Sequence, residues 1–161
     1  MQSIFNFQAN ADISKWYVVV DGVMGGKSTG NFQLNEDGHG LFTGTISLAN
    51  NGGFSSVRYD MDKMEISDNK FVSIRLKGDG KNYQFRVKNN DQDYFSYIAE
   101  FSTTGDWQEI KIPLKDMYPS FRGRKLDKPN FNHSQIDEVT FLIANKKNEE
   151  FQLLIDKIEL K

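Results

Sequence analysis

Apolar residues alternate with polar ones at a period of two along almost the whole chain, and this spacing constrains the fold more than any other feature. In Phe71–Lys77 and in Asn82–Lys88 every second residue is apolar, so each segment has one apolar face. Such alternation is typical of a β-strand that buries one side. The turn sequence Gly78-Asp79-Gly80-Lys81 lies between the two segments, and we predict that they form a β-hairpin.

Seven further segments have the same character and are rich in Phe, Tyr, Val and Ile, which suit a pleated sheet. No segment keeps helical apolar spacing over three turns, and we expect single helical turns only at 113–117 and 133–136. The pattern predicts an all-β sandwich or jelly roll, as a single domain over residues 1–161. The further predicted strands are Trp16–Val20, Leu41–Ser47, Phe54–Tyr59, Tyr94–Phe101, Trp107–Ile112, Glu138–Ala144 and Phe151–Leu160.

Composition and charge exclude several classes of protein. The chain has no cysteine, which removes disulfides, thiolate metal sites and cysteine nucleophiles. Its 20 basic and 22 acidic residues nearly cancel, which argues against a dedicated nucleic-acid binder. The N-terminal segment has neither a signal-peptide nor a transit-peptide pattern, and no apolar run is long enough to span a bilayer. We therefore expect a cytoplasmic protein without a transmembrane segment.

Residues typical of an enzyme are not found together in the sequence. His39 and His133 have no nucleophile or metal-ligand partner nearby, and no GxSxG elbow occurs. We predict no catalytic residues and a function in binding.

No cofactor or metal is expected either. The acidic pairs Asp60/Asp62 and Asp91/Asp93 stand at predicted strand ends and resemble ordinary turns. A structural calcium ion at one of them is the alternative, although the complete calcium-binding loop pattern is missing.

A glycine-rich segment from Val20 to Gly30 is the first candidate site. Backbone N–H groups in such a loop can converge on an anion, but the segment matches neither a P-loop nor a dinucleotide fingerprint. On this interpretation Asp21 and Ser28 belong to a binding site. The alternative is a tight connection between strands that needs positive φ angles.

The second candidate is a glycine turn that leads into a predicted strand. Arg58, on one face of that strand, could clamp a carboxylate or phosphate with two parallel hydrogen bonds. It could equally pair with Asp21 inside the protein. The residues of this candidate are Gly52, Gly53, Phe54, Ser56 and Arg58.

The third candidate is the segment Pro119–Lys125, in which Arg122 and Arg124 flank a glycine in a predicted loop. Loops on rigid β scaffolds often carry function, and the alternative is a solvated basic loop. The polar faces of the strands are a further candidate, as either a solvated surface or a concave ligand-binding face. Their residues are Arg75, Gln84, Arg86, Lys88, Ser96 and Glu100.

Several distinctive segments occur in order along nearly the whole chain. They are VVDGVMGGKSTG (19–30), GLFTGTIS (40–47), NNGGFSSVR (50–58), KGDGKNYQFRV (77–87), WQEIKIPL (107–114), PSFRGR (119–124) and VTFLI (139–143). Together with Trp16 they resemble the complex I intermediate-associated protein 30 family.

The resemblance implies a galactose-binding-like jelly roll, similar in fold to family 11 carbohydrate-binding modules, without an established enzymatic activity. Eukaryotic members are associated with the assembly of respiratory complex I in mitochondria. Because this sequence begins directly at the domain, we expect a free-standing bacterial member. The shared residues would be Asp21, Gly25, Gly26, Ser28, Gly52, Gly53, Phe54, Ser56, Arg58 and Arg122.

We therefore expect a non-catalytic binding or assembly module, a chaperone-like assembly factor for a respiratory or redox complex, with a protein partner. One alternative is carbohydrate binding through exposed aromatic residues. Another is small-molecule binding with Asp21 and Arg58 as polar anchors. The aromatic candidates are Tyr83, Tyr94, Tyr97 and Trp107. The predicted binding residues are the ten shared residues together with Arg86 and Arg124.

Overall fold

The computed structural model describes residues 1–161, except for the side chains of Val23 and Met24. The described backbone forms thirteen strands in two antiparallel sheets, so the predicted all-β sandwich is confirmed. The strands are β1 (Gln2–Asn6), β2 (Trp16–Val20), β3 (Asn31–Leu34), β4 (Gly40–Ile46), β5 (Ser55–Glu65), β6 (Phe71–Lys77), β7 (Asn82–Lys88), β8 (Ser96–Ser102), β9 (Trp107–Pro113), β10 (Tyr118–Phe121), β11 (Arg124–Lys125), β12 (Gln135–Ile143) and β13 (Glu149–Leu160).

The two sheets are here named A and B. Sheet A has the order β3-β4-β13-β6-β9, and β1 adds to it by pairing with the second half of β13. Sheet B has the order β11-β10-β8-β7-β12-β5-β2. The long strand β12 lies inside sheet B, where it pairs with β5 on one side and β7 on the other.

The core lies between the sheets and follows from the period of two. Every second residue of each central strand points inward, where apolar side chains remove their surface from water. Fully buried examples from sheet A are Phe42, Leu76 and Ile155, and from sheet B are Val57, Phe85 and Phe141. The intervening residues therefore lie on the outer faces, and their side chains are free to be polar.

The predicted hairpin of residues 71–88 is wrong, although both strands occur with the predicted bounds. β6 belongs to sheet A and β7 to sheet B, so the connection at 78–81 passes from one sheet to the other. Asp79 fixes this crossing, because its carboxylate accepts hydrogen bonds from the Gln152 amide at 2.8 Å and from the Tyr83 hydroxyl at 2.9 Å. A hairpin turn would leave both strands in one sheet and could not cover the core from two sides.

Two smaller expectations also differ from the structure. No helical turn forms at 133–136, because Gln135 already pairs with Glu65 as the first residue of β12. The expected loop at 119–125 is instead the hairpin β10–β11, with Arg122 and Gly123 at its turn, at φ angles of 50° and 78°. Those angles are typical of a type I′ turn, which matches the twist of the strands. The short strands β1 and β3 were also missed.

In the described backbone, helical structure is limited to three short 3-10 turns, at Asp21–Met24, Ala49–Asn51 and Leu114–Asp116. The last of these confirms the turn expected at 113–117. In the part of the chain that the structure describes, no helix is long and apolar enough to cross a membrane.

Candidate functional site

A cleft of about 840 Å³ lies on the outer face of sheet B. Its floor is formed by strands β5, β12, β7, β8 and β10, and its rim by the loops around residues 48–54, 121–123 and 144–146. Five basic and two acidic residues line it, although the whole chain carries a net charge of −2. The cleft is therefore a basic surface on a slightly acidic protein.

The register of the strands arranges the floor in cross-strand rows. The central row runs through six strands, from the edge strand β2 to β10. Neighbours in such a row stand about 5 Å apart, so their side chains contact one another. The row consists of Tyr17, Arg58, Thr140, Arg86, Ile98 and Tyr118.

Arg58 and Arg86 are the two charged residues of this row, and only the small side chain of Thr140 stands between them. Arg86 donates from Nε at 3.1 Å and from Nη2 at 2.7 Å to Gln84 Oε1. Arg58 Nε is buried and has no hydrogen-bond partner among the described residues. Burial lowers the pKa of Arg86, and the nearby charge of Arg58 lowers it further.

The adjacent row on the floor of sheet B contains charges of both signs, from Asp60, Glu138 and Lys88. Glu138 pairs across the sheet with Lys88 and with Asp60. Burial raises the pKa of Glu138, although the charges of Lys88 and Arg58 oppose that shift. Lys88 itself donates to the Asp93 carbonyl at 2.8 Å. The floor therefore has a cationic centre with one buried carboxyl beside it.

The rim of the cleft is apolar and exposed. Leu48, Tyr94 and Phe121 are 39%, 59% and 37% exposed, and all three line the cleft. The Tyr94 and Phe121 rings meet edge to face at 5.1 Å, and the Arg122 guanidinium lies 5.2 Å from the Phe121 ring. Exposed apolar groups gathered at one cleft are typical of a surface that binds another molecule.

The rim also contains unusual backbone. Four non-glycine residues have positive φ angles in the described structure, and all four lie in the loops of the rim. Left-handed backbone costs a residue with a Cβ roughly 1–2 kcal/mol, and such residues cluster at functional sites. The four residues are Asn50, Asn51, Arg122 and Lys146.

Asp21 does not line the cleft but supports its rim from beneath. Its buried carboxylate accepts backbone hydrogen bonds from Ser28 at 3.0 Å, from Gly53 at 2.6 Å and from Phe54 at 3.3 Å. Ser28 in turn bonds to the backbone of Ser47. The anion on which these N–H groups converge is thus the carboxylate of the chain itself, and the glycine-rich segment braces the loop at 48–54.

The glycines of this region give Asp21 its space. A Cβ at Gly52 would lie 2.5 Å from Asp21 Oδ2, and a Cβ at Gly26 would contact the Asp21 carboxylate and backbone. Gly25 alone of the four glycines between 20 and 30 has a positive φ, at 85°. Close packing around Asp21, more than turn geometry, accounts for Gly26.

The twelve predicted binding residues fall into two groups. Six line the cleft: Gly52, Gly53, Phe54, Arg58, Arg86 and Arg122. The other six lie outside its lining: Asp21, Gly25, Gly26, Ser28, Ser56 and Arg124. Ser56 is fully buried and donates to the Val19 carbonyl at 2.7 Å, and Arg124 is exposed on β11. No salt bridge between Asp21 and Arg58 forms in the described structure.

The other polar and aromatic candidates divide in a similar way. Gln84, Lys88, Ser96 and Glu100 line the cleft, whereas Arg75 lies on sheet A. Among the aromatic candidates Tyr94 lines the cleft, Tyr83 and Tyr97 are buried, and Trp107 lies on sheet A.

Neither histidine lines the cleft. His39 packs on Trp107 with ring centroids 4.6 Å apart, and His133 Nε2 lies 2.8 Å from the Tyr97 hydroxyl. Among the described residues no three His, Asp or Glu side chains lie close enough together to share a metal ion. The structural calcium ion considered from the acidic pairs stays untested.

Sequence reasoning missed the contribution of β12 to the floor. Glu138, Thr140 and Leu142 line the cleft, and they alternate with the core residues Val139, Phe141 and Ile143. That alternation was visible in the sequence as a polar face on an otherwise apolar strand. Leu48, Asn51 and Lys146 at the rim had no sequence signal beyond their position in turns.

Comparison with solved structures defines the fold. The chain superimposes on the family 11 carbohydrate-binding module from Clostridium thermocellum in complex with a β-1,3-1,4-mixed-linked tetrasaccharide, with a TM-score of 0.72 at 16% identity, covering 99% of this chain and 94% of that one. The same module of a cellulosomal cellulase from that organism gives a TM-score of 0.73 at 16% identity over the same shares. The fold is therefore the predicted galactose-binding-like jelly roll.

Comparison with known sequences defines the family. Complex I intermediate-associated protein 30, mitochondrial, of Drosophila melanogaster is 24% identical to this chain, and the alignment covers 98% of this chain and 62% of the relative. The mouse protein of the same name is also 24% identical, and the alignment covers 96% of this chain and 54% of that relative. The chain thus spans less than two thirds of the length of these relatives. The family profile for complex I intermediate-associated protein 30 matches residues 5–155, and the chain belongs to this family.

Proposed function

We propose that this protein is a non-catalytic binding module that holds a protein partner in the cleft of sheet B, in the manner of an assembly factor. The supporting observation is the concentration of unusual features there. Three of the five exposed large apolar side chains in the described structure line the cleft, as do three arginines that form no salt bridge there. Interfaces are enriched in aromatic residues and arginine of this kind.

Family membership supports a partner that belongs to an assembling complex. The relatives are named for association with an intermediate of complex I. For this chain, participation in the assembly of a respiratory or redox complex is part of the proposal, and so is a cytoplasmic location. Both are tested by the identity of the captured partner.

Affinity capture from cell extract, followed by mass spectrometry, tests the binding role. The double variant Tyr94→Ser/Phe121→Ser removes the exposed aromatic pair, and we expect it to lose the specific partner because the rim supplies the apolar contact. The matched control is Lys111→Ser/Lys115→Ser, which changes two exposed residues outside the cleft. Equal capture by both variants would overturn the assignment of the cleft.

Carbohydrate binding is the second candidate, because the structural neighbours are carbohydrate-binding modules and one holds a tetrasaccharide. Sugar-binding faces generally present flat aromatic rings, and here the Tyr94 and Phe121 rings stand at 83° to each other. Calorimetric titration with the β-1,3-1,4-mixed-linked tetrasaccharide separates the two functions. We expect no saturable heat of binding. Saturable binding by the wild type that is lost in Tyr94→Ser would instead make carbohydrate binding the better-supported function.

A further inference from the structure

Two like charges stand side by side on the floor of the cleft, and the buried Glu138 carboxyl in the adjacent row forms no salt bridge with either of them in the described structure. Thr140 alone separates Arg58 from Arg86 in the central row, which places their Cα atoms about 10 Å apart. In the described structure neither guanidinium forms a salt bridge. Gln84 satisfies two N–H groups of Arg86, whereas Nε of Arg58 is buried without an acceptor.

This arrangement is unfavourable for the isolated protein. Burial lowers the pKa of Arg86 and the charge of Arg58 lowers it further, because both disfavour the charged form of the Arg86 guanidinium. A buried N–H without an acceptor adds the cost of its lost hydration. An anion placed between the two guanidinium groups would offset their repulsion and supply the acceptor that Nε of Arg58 lacks.

Resting on the binding role above, we propose that Arg58 and Arg86 form a clamp for a carboxylate side chain in an extended acidic segment of the partner protein. The guanidinium group presents planar, paired donors that fit a carboxylate, with stronger hydrogen bonds than a neutral acceptor would make. Arg122 and Lys146 on the rim extend the basic surface around the clamp.

The shape of the surface fits an extended segment. A second depression of about 300 Å³ adjoins the cleft and shares Gln84, Glu100 and Ala144 with it. The cleft and this depression together extend across several strands of sheet B. A single carboxylate would occupy only the centre of that surface, between the two arginines. Residues flanking the acid would lie against the exposed apolar side chains Leu48, Tyr94 and Phe121.

The probe is an array of blocked decapeptides with Glu, Asp, Gln or Lys fixed at the centre and mixed residues elsewhere. We expect the wild type to prefer Glu or Asp over Gln by about tenfold, because hydrogen bonds to a charged group are worth more than those to an amide. Arg58→Gln and Arg86→Gln should each abolish this preference. Arg124→Gln, the same change outside the cleft, should keep it.

A second readout separates the clamp from a purely structural role. Arg58→Gln and Arg86→Gln should unfold at an equal or higher urea concentration than the wild type, since each removes one member of a repelling pair. In the wild type, the side-chain Nε–Hε resonances of both arginines should shift on addition of a selected Glu peptide. A markedly lower urea midpoint would instead assign the arginines to the stability of the sheet.

Two outcomes overturn the clamp while leaving the binding role intact. One is a peptide preference that ignores the central charge, and the other is an array on which no peptide binds. In either case the aromatic double variant and the captured partner still decide the proposed function independently.

Discussion

At the scale of the residue, Asp21 shows how a side chain outside the lining of a site can hold the backbone that shapes it. Its two carboxylate oxygens accept three hydrogen bonds, from the backbone N–H groups of Ser28, Gly53 and Phe54. These bonds join the segment after β2 to the loop that forms the rim of the cleft. An asparagine has only one acceptor oxygen and would turn an N–H₂ donor towards donors of the backbone.

We therefore expect Asp21→Asn to lower the free energy of unfolding by about 3 kcal/mol, because a charge-assisted network is lost and buried donors stay unsatisfied. Urea denaturation at neutral pH measures the change. Asp12→Asn, at an exposed carboxylate that accepts a single hydrogen bond from Ser14, is the control and should lose far less. A loss below about 1 kcal/mol for Asp21→Asn would contradict the network.

The same residue predicts a dependence on pH. Burial would raise the pKa of the Asp21 carboxyl, but the hydrogen bonds from Ser28, Gly53 and Phe54 outweigh burial and hold it below its ordinary value of 3.8. A lowered carboxyl pKa stabilises the folded state above the unfolded value, and that stability is lost as the pH falls through the folded value. Denaturation between pH 5 and pH 2 should therefore show a steeper loss below about pH 4 in the wild type than in Asp21→Asn.

At the scale of the element, the 3-10 turn at Asp21–Met24 and the residues after it are shaped by packing against Asp21. Gly26→Ala places a Cβ against the Asp21 carboxylate and should destabilise the protein by roughly 1–3 kcal/mol through displacement of that network. Gly22→Ala, four residues earlier, is the matched control, since a Cβ there meets no atom within 4 Å. Thermal unfolding of the two variants measures the difference, and equal midpoints would show that Gly26 is not constrained by Asp21.

At the scale of the whole molecule, the two sheets depend on one shared core and should unfold together. Trp16 on β2 of sheet B stacks on Tyr59 at 4.8 Å and on Phe32 of sheet A at 5.2 Å, whereas Trp107 lies on β9 of sheet A. Each sheet alone would expose an apolar face to water, so neither is stable without the other.

We expect the single-tryptophan variants Trp16→Phe and Trp107→Phe each to show one fluorescence transition in urea that coincides with its own circular-dichroism transition. Trp107, which remains in the first variant, reports the unfolding of sheet A, and Trp16, which remains in the second, reports the separation of sheet B from sheet A. Fluorescence that changes before the circular dichroism in either variant would show that the corresponding sheet opens separately.

The sequence by itself determined most of the strands and the direction of their side chains, although β1, β3 and the hairpin β10–β11 were not predicted. The bounds of β2, β6 and β7 were predicted to the residue, and the inward positions Tyr83, Phe85 and Val87 are buried as the alternation requires. The reason is local, because the period of two along a strand follows from the backbone alone. Family membership, too, could be predicted from segments that are short and contiguous.

Only the tertiary structure decided which strands are neighbours, and with them the candidate site. The turn at 78–81 could serve a hairpin or a crossing between sheets, and the crossing prevails because the core must be covered from both sides. Arg58 and Arg86 share a row because β12, which begins 47 residues after β7 ends, inserts between their strands. Strand pairing depends on distant segments competing for the same edge, and a local pattern contains no record of that competition.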